Sequence, residues 1–293
     1  LRCSRSPSVD LKSRSAPQTR IFHAIRSPSP SPPQKMPTDL AIQTKALTRT
    51  FGSFVAVHQV DLKVERGSFY GFLGPNGAGK STTIKMLTGL LARTSGQISV
   101  LGCDPRDPSQ ALEMKKRIGV VPEDLALFEN LTAREHLTFI GRMHSMEKKM
   151  LSGRIDELLP LFDLEKDEAK LTIEYSHGMK KKLSLAAALL PDPDLLFLDE
   201  PFEGVDAVAS QTIRKILTSF AARGSTIFIT SHVLEIVERI CDQVGIIVGG
   251  KLVEQTSLAE LGSGGSLEQR FIEVVGTNPD QAGNLSWLGE GSK

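Results

Sequence analysis

Nine consecutive residues combine glycines with a lysine and two hydroxyls, a set of groups suited to binding phosphate. The segment is Gly74-Pro75-Asn76-Gly77-Ala78-Gly79-Lys80-Ser81-Thr82. Glycines let backbone N–H groups turn inward around an anion, the lysine brings a positive charge to the β and γ phosphates, and the serine hydroxyl binds Mg²⁺. An apolar run precedes the segment and a helical pattern follows it, which is the context that a phosphate-binding loop requires. We therefore predict a nucleotide site here; a glycine-rich turn that merely caps a helix is the alternative.

Two acids follow a second apolar run. The run Leu195–Leu198 leads directly into Asp199 and Glu200. Since a buried strand delivers the residues at its carboxyl end to the edge of a sheet, both acids are expected beside a phosphate-bound metal. Asp199 is predicted to hold Mg²⁺, directly or through water, and Glu200 to polarise the attacking water. Acidic strand ends occur in many proteins, so this motif depends on the phosphate loop for its specificity.

The elements that must position these residues alternate between strand and helix patterns, which predicts the α/β fold class. Thr226–Thr230 and Val244–Val248 are typical of strands buried on both faces. Residues 123–190 are helical instead, and a capping box at Thr132 and Glu135 opens one helix. Its Leu137, Ile140 and Met143 are expected near one face. Further strands are predicted around Val60, Leu62 and Val64, and at 68–73, 97–101 and 118–121; a helix is predicted at 82–87.

Composition excludes several classes of protein. The chain has 293 residues, 40% hydrophobic and 24% charged, which suits one large domain or two small ones and does not suit a wholly disordered chain. No window approaches the ~18 consecutive apolar residues that a membrane span needs. The cysteines, Cys3, Cys103 and Cys241, have neither metal-ligand spacing nor a redox partner, which indicates free thiols in a reducing compartment.

Charge is unevenly distributed along the chain. Residues 1–35 carry seven bases and one acid, which leaves 28 bases and 33 acids in the remainder. A mildly acidic body does not favour nucleic acid as a partner, because phosphate backbones are bound by clustered Lys and Arg. The run Lys180-Lys181-Lys182 is expected to be the solvated face of a helix, with nucleic-acid or lipid contact as the alternative. Residues 1–35, rich in Ser, Pro and Arg, are expected to be disordered or non-native, with an organelle transit peptide as the alternative.

The order of several motifs resembles the ATP-binding-cassette (ABC) ATPase subunits of transporters. Tyr175-Ser176-His177-Gly178-Met179 is similar to the family's signature segment and lies shortly before the acidic strand end. His232, in Thr-Ser-His, resembles the switch histidine that contacts the γ phosphate. Asp206 resembles the loop residue that crosses to a partner subunit, and Phe51 the aromatic residue that stacks on adenine. The resemblance assigns residues 36–275 to one ATPase domain, with a helical subdomain at about 123–190 and a flexible tail at 276–293.

The resemblance implies a P-loop NTPase core with a mixed or parallel sheet, an antiparallel β subdomain and an inserted α-helical subdomain. It implies ATP hydrolysis with Mg²⁺ by two cassettes closed head to tail, as a homodimer or a heterodimer. Each ATP would lie between the phosphate loop of one subunit and the signature segment of the other. The implied site comprises Glu200, His232 and Lys80 for catalysis; Phe51, the phosphate loop, Ser176, Gly178 and Asp206 for ATP; and Ser81, Asp199 and Glu123 for Mg²⁺.

A separate multi-span membrane permease is the implied partner, which would make the chain peripheral on the cytoplasmic face of the cell (inner) membrane. The permease's intracellular helix would dock beside Glu123 on an apolar cluster, with simple core packing as the alternative for that cluster. Its members are Leu125, Leu127, Phe128 and Leu131.

Two departures from the family pattern bear on the site. The usual signature Leu-Ser-Gly-Gly-Gln is Tyr-Ser-His-Gly-Met here, which keeps the hydroxyl of Ser176 and the N–H of Gly178 at a helix start. Glu123 replaces the metal-contacting glutamine, so altered Mg²⁺ dependence is expected instead of inactivity. Both variants are most similar to bacterial exporters of drugs or polysaccharides. A soluble ABC ATPase and a regulatory cassette with weak hydrolysis stay open as alternatives.

Overall fold

The computed structural model describes residues 40–261 and 266–276. The expectations for residues 1–35 and for the tail beyond residue 276 lie outside the described residues. Within the described ranges the strands are β1 (Leu40–Phe51), β2 (Phe54–Val60), β3 (Lys63–Glu65), β4 (Phe69–Leu73), β5 (Ser95–Val100), β6 (Ile118–Val121), β7 (Leu195–Asp199), β8 (Thr226–Thr230), β9 (Gln243–Val248) and β10 (Lys251–Ser257). The helices are α1 (Lys80–Leu87), α2 (Pro108–Arg117), α3 (Ala133–Met143), α4 (Lys148–Leu161), α5 (His177–Leu189), α6 (Ala207–Ala222), α7 (Leu234–Ile240), α8 (Leu258–Leu261) and α9 (Leu267–Val275).

A six-stranded sheet forms the centre of the molecule, in the order β10-β9-β4-β8-β7-β6. Its pairs are parallel except for the edge pair of β10 with β9. Every residue of β4, β7 and β8 is buried, because helices cover one face of the sheet and a second sheet covers the other. The mixed sheet and the α/β class expected from the sequence are confirmed. Parallel strands of this kind bring the ends of β4, β7 and β8 to one edge.

The second sheet is antiparallel and is organised by β1, which pairs with β2, β3 and β5. Its inner residues share one core with the central sheet, where the rings of Tyr70 and Phe228 stack at 5.4 Å. This is the antiparallel β subdomain that the resemblance implied. The strand expected around Val60, Leu62 and Val64 is interrupted: β2 ends at Val60, and β3 begins at Lys63. All three side chains are nevertheless fully buried, as their alternation predicts.

The chain between β6 and β7 is helical, as expected, and contains α3, α4 and α5. The predicted capping box is present: the Thr132 hydroxyl accepts from the Glu135 N–H, and the Glu135 carboxylate accepts from the Thr132 N–H at 2.9 Å. Leu137 is buried, but Met143 is 70% exposed. The expectation for Met143 is wrong because six residues at 3.6 per turn carry it well away from Leu137 around the helix. No helix in the described ranges combines the length and the apolar composition that crossing a membrane requires.

Candidate nucleotide site

The glycine-rich segment forms a tight loop between the end of β4 and the start of α1. Gly79 has φ of 106°, and a Cβ atom on it would lie 2.6 Å from the Ala56 carbonyl oxygen. A Cβ atom on Gly74 would lie 2.3 Å from the carbonyl oxygen of Ile247. Only glycine fits these two positions, because a Cβ atom at either would collide with a neighbouring carbonyl oxygen. Gly79 in addition has a left-handed backbone conformation, which favours glycine. The loop is therefore held between β2 and β9.

Lys80 opens α1 directly behind this loop. Its ammonium is buried and donates to the Gly74 carbonyl at 2.7 Å and to the Pro75 carbonyl at 3.3 Å. No side chain caps α1, so its first N–H groups and the positive end of the helix dipole face the loop. Ser81 and Thr82 follow in the first turn, half-buried. This is a site for an anion with several negative charges.

The acidic edge lies at the end of the neighbouring strands. Asp199, the last residue of β7, is buried and accepts from the Thr230 hydroxyl at 2.5 Å. The same hydroxyl oxygen accepts from the Glu200 N–H at 3.1 Å. Thr230 is paired in register with Asp199 across β7 and β8, so one side chain fixes both acids. Sequence reasoning missed Thr230; its place at the end of the buried run 226–230 was the available signal.

Glu200 and His232 are brought into contact by this edge. Glu200 has φ of 48°, a left-handed conformation that is uncommon for a residue with a side chain and that concentrates at functional sites. Its Oε2 accepts from the His232 N–H at 3.2 Å and lies 2.9 Å from His232 Nδ1. The Glu200 side chain is 10% exposed, whereas the His232 side chain is 55% exposed. An acid and an imidazole thus form a pair that opens outward from the core.

Glu123 joins the phosphate loop to the segment that follows β6. The Ser81 hydroxyl donates to Glu123 Oε2 at 3.2 Å, which brings two of the three predicted Mg²⁺ ligands together. Within residues 40–261 and 266–276, no group of three or more His, Cys, Asp or Glu side chains could hold a metal ion by itself. This fits Mg²⁺, which is commonly bound by one or two carboxylates together with substrate phosphates.

The residues expected to act across a subunit interface lie at helix starts on the surface. Ser176 caps α5 and accepts from the Met179 N–H at 3.2 Å, and Gly178 lies in the first turn. Asp206 caps α6 and accepts from the Ala209 N–H at 2.9 Å; this backbone hydrogen bond lowers the pKa of the Asp206 carboxyl. Among the described residues, no hydrogen bond joins Ser176, Gly178 or Asp206 to the phosphate loop.

His177 makes a contact that sequence reasoning did not foresee. Its imidazole packs against Gly204 so closely that a Cβ atom on Gly204 would lie 2.7 Å from His177 Cδ2. The ring that replaces a glycine of the usual signature is therefore accommodated by another glycine, in the loop that leads to Asp206.

Phe51 lies at the end of β1 with its ring 44% exposed. The Arg49 guanidinium covers one face of the ring, 4.3 Å from its centroid. β2, the partner of β1, contacts the phosphate loop at Ala56, so the hairpin that carries Phe51 is attached to the site. The aromatic ring of Phe51 is thus exposed at the surface, on a hairpin that contacts the loop through Ala56.

Lys181 departs from its expectation. It is 1% exposed, so the prediction of a solvated lysine face is wrong for this residue. The reason is that α5 is buried along most of one side, from Lys181 to Leu189. Burial lowers the pKa of the Lys181 ammonium, while the nearby carboxylates of Glu203, Asp199, Glu200 and Glu123 act to raise it. The Lys180 Nζ instead lies 3.5 Å from Glu129 Oε1, and Lys182 is half-buried.

The residues of the apolar cluster, where a membrane partner was expected to dock, differ in how deeply they are buried. Leu125 and Leu127 are half-buried against the larger core. Phe128 is 49% exposed and meets the edge of Phe139 at 4.9 Å between centroids. Leu131 is half-buried as well, so core packing accounts for part of the cluster but leaves its one aromatic member, Phe128, at the surface.

Comparison with known proteins decides the family. The model of the ABC transporter family matches residues 57–203, which include the phosphate loop, the signature segment, Asp199 and Glu200. The chain belongs to the ABC transporter family. This ABC cassette is an ATP-binding subunit of a transporter and an ATP hydrolase.

Similar curated proteins have transport names. The bacitracin transport ATP-binding protein BcrA of Bacillus licheniformis is 43% identical over 73% of this chain and 69% of its own length. The Nod factor export ATP-binding protein I of Burkholderia lata is 41% identical over 81% of this chain and 77% of its own length. A solved ATP-binding subunit of an ABC transporter superposes with a TM-score of 0.76 at 29% identity, covering 80% of this chain and all of its own. A dimeric cassette in a post-hydrolysis state with ADP and Pi has a TM-score of 0.68 at 22% identity, covering 74% of this chain and 98% of its own, and supports the fold alone.

Proposed function

We propose that this ABC cassette hydrolyses ATP with Mg²⁺ in a head-to-tail dimer and drives export through a separate multi-span membrane subunit. The observation that carries the hydrolytic part is the hydrogen-bonded edge of Asp199, Thr230, Glu200 and His232. The Glu200 carboxylate is held by these hydrogen bonds in a position from which it can orient water. No further free energy is then needed to place it when the reaction occurs.

The roles follow from the chemistry of each group. Lys80 and the first N–H groups of α1 neutralise the β and γ phosphates. Glu200 accepts hydrogen bonds from the attacking water, and His232 holds Glu200 and contacts the γ phosphate. Ser81, Glu123 and Asp199 offer the hard oxygen donors that fit Mg²⁺. When bound there, Mg²⁺ would supply positive charge against the charge that develops on the phosphates.

The proposed dimer is supported by the positions of three predicted ATP-binding residues. Ser176, Gly178 and Asp206 are helix-start residues without hydrogen bonds to their own phosphate loop. The Ser176 cap takes up only the Met179 N–H, and the earlier N–H groups of the first turn of α5, such as that of Gly178, are suited to a γ phosphate that arrives from a second cassette. In the dimer, Phe51 stacks on the adenine of its own subunit's ATP.

The membrane partner is supported by the transport names of the relatives, one of which is named for export. We infer that its intracellular helix docks where Phe128 and Phe139 are exposed, beside Glu123. Movement of the partner would then be coupled to Mg²⁺ and the γ phosphate through Glu123. The chain would lie on the cytoplasmic face of the cell (inner) membrane.

Glu200→Gln tests the hydrolytic site. We expect ATP turnover to fall by about 1,000-fold or more, while ATP, in the presence of Mg²⁺, converts the chain to a stable dimer on size-exclusion chromatography. Glu235→Gln, at an exposed position on α7, is the control and should turn over ATP like the parent. Undiminished hydrolysis by Glu200→Gln would remove Glu200 from the catalytic role.

Affinity purification from detergent-solubilised native membranes tests the transport role. A multi-span membrane protein recovered in near-equal amount, and lost in a Phe128→Asp variant, would support the proposed partner and its docking surface. A soluble or ribosomal partner with no membrane protein above background would contradict the export role and leave the hydrolytic site standing.

A further inference from the structure

The two tyrosines of the chain, Tyr70 and Tyr175, are both buried but differ in what their hydroxyls do. In the part of the chain that the structure describes, the Tyr70 hydroxyl has no hydrogen-bond partner. The Tyr175 hydroxyl donates to the carbonyl oxygen of Asp167 at 3.0 Å. Burial raises the pKa of the Tyr175 phenol, so the group is protonated and able to donate at neutral pH. The Tyr175 hydroxyl therefore ties the start of α5 to a point eight residues earlier in the chain.

The acceptor of this bond is itself held in place. Asp167 lies in a short 3₁₀ turn between α4 and α5. The next residue, Glu168, forms an ion pair with Arg134 of α3, and Arg134 also reaches Asp156 of α4 at 2.8 Å. The carbonyl that receives the Tyr175 hydroxyl is thus fixed on the helical insertion by contacts with two of its helices.

The backbone that leads into Tyr175 is held from another side. The N–H and the hydroxyl of Thr172 both donate to the Leu131 carbonyl, at 2.8 and 2.7 Å. The Ile173 N–H donates to the Glu129 carbonyl at 3.0 Å, and the Tyr175 N–H donates to the Thr172 carbonyl at 3.1 Å. The entry to α5 is therefore held by the segment before α3 and, through the side chain of Tyr175, by the 3₁₀ turn.

Ser176 follows Tyr175 directly, and its side chain is exposed where that of Tyr175 is buried. Both residues have extended backbone conformations, and successive side chains of an extended chain point to opposite sides. Anchoring Tyr175 in the core consequently fixes the backbone from which the Ser176 hydroxyl projects. The usual signature has leucine in place of Tyr175. Leucine could fill the same core, but it has no hydroxyl with which to bind Asp167.

We propose that the Tyr175 hydroxyl is a positioning group for the subunit interface: by binding the Asp167 carbonyl, it fixes Ser176 where the Ser176 hydroxyl meets the second cassette. This rests on the head-to-tail dimer proposed above. In this chain the first residue of the signature segment thus contributes a specific hydrogen bond in addition to apolar packing.

The test measures ATP-dependent dimerisation of the full chain in the Glu200→Gln background, by analytical ultracentrifugation with Mg²⁺. Tyr175→Phe keeps the ring and removes the hydroxyl. We expect the dimer dissociation constant to rise about fivefold, the effect of one hydrogen bond, while the ATP affinity of the monomer stays unchanged. Tyr70→Phe is the matched control, because it removes a hydroxyl that has no partner among the described residues, and it should change the constant by less than about twofold.

Tyr175→Leu installs the residue of the usual signature. Because leucine lacks the hydroxyl, this variant should weaken dimerisation at least as much as Tyr175→Phe does. Parental dimerisation by either variant would overturn the proposal.

A double-mutant cycle with Ser176→Ala separates positioning from a general effect on stability. If the Tyr175 hydroxyl acts through Ser176, Tyr175→Phe should change the dimer dissociation constant by less than about twofold in a Ser176→Ala background. A purely structural role predicts the same loss in both backgrounds, and that result would contradict the proposal.

Amide hydrogen exchange in the monomer provides a second readout that does not need the dimer. The Met179 N–H is bonded to the Ser176 hydroxyl, so its exchange rate reports whether Ser176 is held in place. Tyr175→Phe should speed this exchange about fivefold, and Tyr70→Phe should leave it unchanged. If the Glu200→Gln chain forms no dimer with ATP, the proposed dimer is refuted. An unchanged Met179 exchange rate in Tyr175→Phe would refute the positioning role of Tyr175 whether or not the dimer forms.

Discussion

The two sets of candidate site residues differ sharply in how they are held. Lys80, Asp199 and Glu200 are buried, and each is hydrogen-bonded to a loop or to a neighbouring strand. Ser176 and Asp206 are exposed, and in the part of the chain that the structure describes their side chains accept hydrogen bonds from the first turns of their own helices. We call the first set the buried half-site and the second the exposed half-site. The proposed dimer accounts for this difference, since each chain would then pre-organise the hydrolytic groups and present the remaining groups to another molecule.

This difference has a physical origin in the central sheet. Parallel strands β4, β7 and β8 end at one edge, where the side chains at their ends are close neighbours and shielded from water. Helix starts at the surface have no such neighbours, and their free N–H groups face solvent. Loss of a single hydrogen bond in the buried half-site should therefore lower the rate of hydrolysis. Substitutions in the exposed half-site should instead weaken the docking of a second subunit.

Among the variants that compare the two half-sites, the largest effect is expected from Thr230→Val, which keeps the shape of the side chain and removes the hydroxyl shared by Asp199 and Glu200. Misplacing the carboxylates should lower kcat about 100-fold, with ATP affinity changed less than about threefold. Thr226→Val, on the same strand, removes a hydroxyl that accepts from the Gly67 N–H and is the control. It should lose comparable stability, about 1 to 2 kcal/mol, without the loss of kcat. A parental kcat in Thr230→Val would break the claim that the edge is pre-organised.

A smaller effect is expected from Ser176→Ala in the exposed half-site. Loss of the cap removes about 1 kcal/mol of helix stability and one hydroxyl from the proposed interface. ATP-dependent dimerisation of a Glu200→Gln background should weaken about tenfold, while ATP affinity of the monomer stays unchanged. Ser266→Ala removes the equivalent cap of α9 and should leave dimerisation intact. If Ser176→Ala weakened ATP binding by the monomer instead, Ser176 would belong to its own chain's site.

The smallest effect is expected from Phe51→Ala. Phe51 is exposed, and we propose that it stacks on the adenine of the ATP that the buried half-site of its own chain binds. Stacking of a base on an aromatic ring contributes about 1 to 3 kcal/mol, and the partial cover by Arg49 places the expectation at the lower end, about fivefold in ATP affinity. Phe54→Ala is the matched control, since Phe54 pairs with Phe51 across the hairpin and is 63% exposed. Equal losses of ATP affinity in the two variants would argue against adenine stacking on Phe51. A smaller loss of GTP affinity than of ATP affinity in Phe51→Ala would show that the stacking contact favours adenine.

Much of the central sheet could be predicted because its signals are local. The buried runs at β6 and β8 were predicted with the bounds that the structure has, and the capping box of α3 follows from two residues three apart. β1 escaped prediction, since its polar residues face solvent and neighbouring sheets in an irregular pattern. Met143 was assigned to the face of Leu137, although six residues along an α-helix place it about 120° away around the axis.

The residues that only the structure identified are those defined by contacts between distant segments. Thr230 is 31 residues from Asp199, and its importance depends on the strand pairing that aligns them. His177 and Gly204 meet across the start of α5 and the loop after β7. Lys181 stands in a run of three lysines in the sequence, and no property of that run distinguishes the buried member from its two half-buried neighbours.

By itself, the amino-acid sequence determined the phosphate loop, the order of the motifs and the α/β class, because each depends on residue types at short spacing. The tertiary structure decided which acid is held by which hydroxyl, which lysine is buried, and which half of the site faces outward. Those properties depend on packing and on hydrogen bonds between segments far apart in the chain, such as the bond between β7 and β8 that joins Asp199 to Thr230.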